Sequence, residues 1–397
     1  MSAPPTSDVD ELESRSARRP TPREGLRSRR VYRRRRVVVG LAAAFALWLT
    51  WSLGGALTAP GTDTVSARLA EWGRFHGLGW AVTGMEQAQY AANTPRTGGS
   101  VVGGIPRLRP EMSPAGALAA SNELAAPAPL APVAKGALAG EGAWQTTILL
   151  HGHPAVRTAF LRPDSAHTSY LVETVWMDPS LLRFTLHPGY QVPGGTGWPE
   201  PDRLTGHELR SVLATFNSGF TMVDSQGGYW QGGHSVGTLR RGGAAMVLST
   251  AGGLDVRAWG GGTPGPGTAA VRQNLSLLVD KGQLNPLVND PTTSTWGKTI
   301  GNRAYVWRTA IGVRADGSVI FIVGPALNVK TLAVIAQEAG AIRAMQLDIN
   351  PDWTNFITYT HPAGGTAVPH MLAADERPNP RRYLQPSTRD FVSVSAA

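Results

Sequence analysis

Between Val37 and Ala59 the chain has no charged residue, and apolar residues elsewhere recur mainly in short runs. At roughly 1.5 Å per residue a helix of that length crosses a bilayer core of about 30 Å, so the pattern predicts one transmembrane helix over residues 37–59. Residues 60–90 predict a juxtamembrane helical segment around the amphipathic run Ala67–Phe75. Residues 91–140 are expected to form a flexible linker. Within it Ser113–Gly140 is dominated by Ala, Pro and Gly, with Pro127, Pro129 and Pro132 close together, a composition that builds no core.

Residues 141–397 read differently. Thr146–Leu150, Val156–Leu161, Tyr170–Trp176, Leu213–Phe216, Ala244–Leu248 and Leu275–Val279 are short apolar runs between Gly, Pro and Asp, the pattern of strands. Tyr305–Val313 and Val319–Val323 flank Asp316-Gly317, a hairpin turn signal. Thr331–Ala339 is the clearest helix, stopped by Gly340, and Ala344–Leu347 follows as a strand. The predicted class is α+β: a mixed β-sheet domain with few helices, preceded by one transmembrane helix and a Pro/Ala/Gly-rich spacer.

The net charge of +9 suggests nucleic acid only until it is located. Residues 1–36 hold 11 Arg against 5 acidic residues, a net +6, which leaves +3 (9 minus 6) for the rest. The basic stretch is explained as a cytoplasmic tail that sets topology and meets anionic lipid, so no nucleic-acid partner is called for. By the positive-inside bias the N-terminus stays in the cytoplasm and everything after Pro60 lies outside, giving a single-pass protein of the cell membrane. A cleaved signal peptide is the competing reading, although the apolar stretch exceeds a usual h-region and Pro60 follows the best small-residue cleavage point. Ser28-Arg29-Arg30-Val31-Tyr32 weakly imitates a twin-arginine signal. With no cysteine there is no disulfide framework, thiolate metal site or thiol nucleophile.

Candidate chemistry gathers in Phe216-Asn217-Ser218-Gly219-Phe220, Arg308-Thr309-Ala310-Ile311-Gly312-Val313 and Gln346-Leu347-Asp348-Ile349-Asn350. Their order resembles the phosphodiester glycosidase family, which hydrolyses sugar-1-phosphodiesters such as N-acetylglucosamine-1-phosphodiester. Gln273-Asn274-Leu275 to Asp280 is similar to that family's central strand. Arg272-Gln273-Asn274-Leu275 and Trp176-Met177-Asp178 are similar to an actinobacterial, membrane-anchored branch of it. One departure stands out. The family usually continues Leu-Asp-Gly-Gly-Gly-Ser where this chain has Leu347-Asp348-Ile349-Asn350-Pro351-Asp352-Trp353, losing glycines whose backbone can approach a phosphate closely.

The resemblance implies a hydrolase of a sugar-1-phosphodiester or related cell-envelope glycan. Its expected catalytic residues are Arg308, clamping phosphate with paired hydrogen bonds, Asn217, orienting substrate, and Asp348, transferring protons or acting as nucleophile. Gly219, Asn274, Thr309, Asn350, Asp352 and Trp353 are expected to contact substrate. Asp352, ahead of Asp224 and Asp178, is the expected second carboxylate, because glycosidic cleavage generally uses a pair. Trp230, Trp296 and Trp353 are candidates to stack on sugar rings, against their commoner role in a core. No cofactor is required. A divalent cation held by Asp348 and Asp352 stays open, while a true EF-hand is excluded by Trp353 and Tyr359 at its sixth and twelfth places. His151 and His153 are default surface imidazoles.

Two other classes compete. A non-catalytic glycan-binding module on the same scaffold would tolerate the lost glycines. Gly233-His234-Ser235-Val236-Gly237 matches a nucleophile elbow, with Asp348 and His361 or His370 in the right chain order for a serine esterase. Against the elbow, glycine pairs bracket Ser235 where a buried strand and a helix are needed.

Overall fold

The computed structural model describes residues 22–113, 123–290, 293–297, 304–362, 366–373 and 375–397. The chain divides into Met1–Thr58 and Ala59–Ala397. In the first unit the helix Pro22–Leu57 contains Val31–Leu57, long and apolar enough to cross a membrane, a test that a signal sequence also passes. The helix stops short of the predicted Ala59, since Pro60 disfavours α conformation in the residue before it.

In the second unit the strands form three sheets among the described residues. The largest runs from the edge strand Glu111–Ser113 through Gln145–Leu150, His153–Leu161, Val172–Met177, Val319–Leu327, Val306–Arg314, Ala341–Gln346 and Leu277–Asp280 to Gln283–Leu284. Its pairings are antiparallel except that of Glu111–Ser113 with Gln145–Leu150, so the expected mixed sheet is mixed only at that edge. A second sheet carries Phe391–Ala396 between Val212–Asn217 and Leu182–His187, with Phe356–Thr360 beyond. The third is built on Ala244–Ser249 and Thr268–Gln273.

Phe216, Phe321 and Phe356 meet at centroid distances of 4.8 to 6.1 Å and join the first two sheets in one core. The helix Val329–Glu338 covers the other face of the largest sheet with Leu332, Ala333, Ile335 and Ala336. Asn328 caps it, its side chain accepting from Thr331 N while the Thr331 hydroxyl receives Asn328 N.

Within residues 60–92 lies a helical hairpin, Val65–Phe75 and Gly79–Ala92, belonging to the same compact unit as the sheets. Gly73 lets its helices pack, for a Cβ there would lie 2.9 Å from Val82 Cγ2. Part of the expected spacer falls on 114–122, outside the described residues. Its described remainder is tied to the sheets: Leu124 N donates to Asp178, Leu130 is buried, and Arg162 bonds Gly136 O and the buried Glu141.

Candidate active site

The predicted segments meet through one hydroxyl. Thr309, central in the strand Val306–Arg314, exchanges backbone bonds with the end of the neighbouring strand: Thr309 N donates to Asp348 O at 2.9 Å and Leu347 N to Thr309 O at 2.8 Å. Its Oγ1 receives Asp348 N at 3.0 Å and Asn217 Nδ2 at 2.9 Å. Asn274 reinforces the joint, donating to Gln346 O and Leu347 O and accepting Phe220 N. Past this joint the chain turns sharply, with Asp348 Oδ1 accepting Ile349 N at 2.7 Å and Asn350 N at 2.9 Å. That turn aims the Asp348 side chain into a cavity of about 40 Å³.

Asn350 and Trp353 line the cavity from the same turn, and Phe220, Thr221 and Asp224 from the loop after Asn217. The helical hairpin adds Arg74, Glu86 and Tyr90, and Arg389 comes from the segment before the C-terminal strand. Burial pushes the Asp348 carboxyl up to about 6, against the pull of Arg389 and the two backbone N–H groups. Burial also works against the charge on Arg389, but Glu71 and Asp348 outweigh it and hold its pKa above the usual range. Glu71, buried on the hairpin, receives Arg389 Nη2 at 2.6 Å and Arg74 Nη1 at 3.0 Å, while Arg74 Nη2 reaches Glu86 at 2.6 Å. Two guanidiniums are thus held beside a carboxyl that titrates near neutrality.

Arg308 does not join them. Side chains alternate along a strand, so Arg308 points away from the face that Thr309 shares with Asp348. Its guanidinium is buried and donates to Leu327 O, Gln346 Oε1 and Ala304 O, all at 2.8 to 3.0 Å, and burial lowers its pKa to about 9. Arg308 staples strands; it is not among the cavity's lining residues. Arg308→Met should therefore cost about 1–3 kcal/mol for each orphaned acceptor and leave KM of the folded fraction unchanged. Denaturant unfolding beside steady-state kinetics checks this: a raised KM at wild-type stability would restore the clamp.

Asn217, Thr309 and Asn274 are likewise framework. Asn217 spends its amide on Ser218 O and Thr309 and its oxygen on Asn355 N, so it orients Asp348 through Thr309 rather than meeting a ligand. Gly219 is needed for packing, since a Cβ would lie 3.1 Å from the buried Arg272 Cζ. Asp352 is not among the lining residues; its amide bonds Asn350 Oδ1, and burial raises its pKa against Arg377 and Arg382. Asp178 caps a turn at Ser180 and anchors Leu124. Asp224 is the second aspartate that lines the cavity, accepting the Thr221 hydroxyl at 2.6 Å. Trp353 lies beneath Arg389 and Arg382, 4.6 and 5.0 Å from its ring, Trp296 is core, and Trp230 is half-buried in the third sheet.

Among the described residues no group of three or more His, Cys, Asp or Glu is placed to hold a metal ion. His153 pairs with Glu123, outside the cavity lining. Ser235 sits exposed on the short strand His234–Val236, hairpinned to Tyr229–Gln231, with no helix after it, so the elbow is a sequence coincidence.

Residues 210–348 match the family model described as phosphodiester glycosidase. The match is distant, narrower than the whole outer domain, and ends on Asp348. Nothing in it singles out an actinobacterial or membrane-anchored branch. No curated protein matches. Solved structures include the zebrafish N-acetylglucosamine-1-phosphodiester alpha-N-acetylglucosaminidase catalytic domain auto-inhibited by its pro-peptide, at 16% identity and TM-score 0.36, covering 60% of this chain and 82% of that one. A hypothetical protein from Synechocystis follows at 13% identity and TM-score 0.34, covering 62% and 63%. At such scores these likenesses add nothing to the family match.

Proposed function

We propose that this chain is a membrane-anchored, extracytoplasmic hydrolase of a sugar-1-phosphodiester, with Asp348 as its proton-transfer group. The observation that carries the reading is the coincidence of Asp348, last residue of the family match, with a buried carboxyl of pKa about 6 in a cavity that also holds Arg389.

The chemistry assigns the roles. Water attacks the anomeric carbon, the C1–O bond breaks, and the phosphate leaves as a monoester. A phosphate monoester has its second pKa near 6, so its departure needs little protonation, and the demand falls on the attacking water. Asp348, ionised, takes that proton. Arg389, with Arg74 beside it, answers the charge of the phosphate, the task the sequence assigned to Arg308. Asp224 takes the place expected of Asp352 as second carboxylate. The cavity of about 40 Å³ is small against the 300 Å³ or more of typical ligand sites, so it takes the reacting centre of a substrate and not the whole molecule.

Hydrolysis of an N-acetylglucosamine-1-phosphodiester in ¹⁸O-water by the full chain tests the reading. Label in the released sugar is expected. Label in the phosphate would make the protein a phosphodiesterase of another kind, and saturable binding without turnover would make it a glycan-binding module.

A further inference from the structure

The helix Val65–Phe75 is amphipathic in the wrong sense for a protein surrounded by water. On a helix, residues three and four apart share a face. Ala67, Glu71 and Arg74 share the face turned to the sheets, where Glu71 is buried among guanidiniums. Val65, Leu69 and Trp72 share the opposite face, with Val65 63% and Leu69 41% exposed. On the second helix Glu86 and Tyr90 line the cavity, while Trp80, next to the connecting turn, is 78% exposed. Phe75 and Leu78 continue the apolar surface through the connecting turn. Such a patch, charged inside and aromatic outside, needs a partner that is not water.

We infer that this outward face is a lipid-docking surface, seated in the headgroup region of the bilayer. Chain continuity names the occupant. Only residues 58–64 separate the hairpin from the apolar helix that ends at Leu57, so a chain that spans the membrane there delivers Val65 beside the lipid. Tryptophan, phenylalanine and leucine on one side of a short helix are the groups that settle at that boundary. The inference rests on the anchor of the proposed function but not on its chemistry. One consequence concerns the site: Arg74, Glu86 and Tyr90, which line the cavity, ride on an element held at the membrane.

The absence of cysteine makes the test direct. Full chains bearing a single fluorophore at Leu69→Cys or Trp80→Cys are reconstituted in vesicles containing lipid with a quencher at the headgroup boundary. Leu47→Cys, within the apolar helix, reports that the anchor is inserted, and Asp280→Cys, at the exposed end of the strand Leu277–Asp280, reports the aqueous baseline. In vesicles where the Leu47 label is quenched, blue-shifted emission and loss of intensity at 69 and 80 are expected. Emission at both positions matching Asp280 would overturn the inference, whatever the activity. Trp80→Ser beside Leu69→Cys provides a second reading, because loss of the anchoring indole should weaken quenching at 69.

Discussion

Asp348→Asn is expected to cut turnover by about 10²–10⁴-fold and at the same time make the protein more stable at neutral pH. Folding lifts the Asp348 pKa from 3.8 to about 6. The folded state therefore holds this proton more tightly than the unfolded chain. The stabilisation linked to that proton is complete below the unfolded pKa and is lost as pH rises through about 6. Above that pH the wild type keeps a buried carboxylate, at a cost of about 3 kcal/mol from a shift of roughly two units at 1.36 kcal/mol each. Asparagine retains the oxygen that accepts Ile349 N and Asn350 N but carries no charge. Urea unfolding at pH 7.5 should show the variant ahead by up to that amount, and the gap should close toward pH 4. A variant less stable at pH 7.5 would mean that Asp348 is there to hold the turn together.

Breaking the Arg272–Asp390 pair should have the largest effect on stability. Both side chains are fully buried, 2.5 Å apart, and Arg272 also donates to Gln273 O and Phe220 O. Removing one partner of a buried pair costs about 3–5 kcal/mol, because the other charge stays behind without compensation. Arg272→Met should thus lower the denaturant midpoint sharply, and the double variant Arg272→Met/Asp390→Asn should regain much of the loss. The pair also matters to the site. It joins the Phe220 loop to the residue next to Arg389, so whatever of the single variant still folds should bind phosphodiester more weakly. Stability unchanged by Arg272→Met would contradict this placement of the charges.

The sequence made the strands that surround the site legible because most are buried on both faces and read as unbroken apolar runs. Val319–Leu327 and Ala244–Ser249 are examples. Phe391–Ala396 was passed over: serine alternates with its apolar residues, so it shows no unbroken apolar run. That strand positions the segment bearing Arg389, so a guanidinium that lines the cavity went unread. The segment of Asp348 reads as a strand end, and the structure places Asp348 just past the strand Ala341–Gln346, lining the cavity. Arg308 was misplaced because spacing in sequence does not reveal which strand face carries a side chain when both faces are buried. Arg74 left one usable signal, the inverted amphipathicity of residues 65–75, which points charge inward; Glu86 and Tyr90, on the second helix, left none. Asp352 was favoured over Asp224 for nearness in sequence alone, and the turn that buries Asp348 separates the two in role.

The claim at the centre of this account, that Asp348 is the base of a glycosyl phosphodiester hydrolase, is tested most directly by kcat/KM against pH for an N-acetylglucosamine-1-phosphodiester, with the full chain and its Asp348→Asn variant. The wild type should gain activity through about pH 6 and level off above it, since the ionised carboxyl does the work. The variant should fall by about 10²–10⁴-fold and lose that inflection. Turnover by Asp348→Asn at the wild-type rate, with the same inflection, would contradict the assignment.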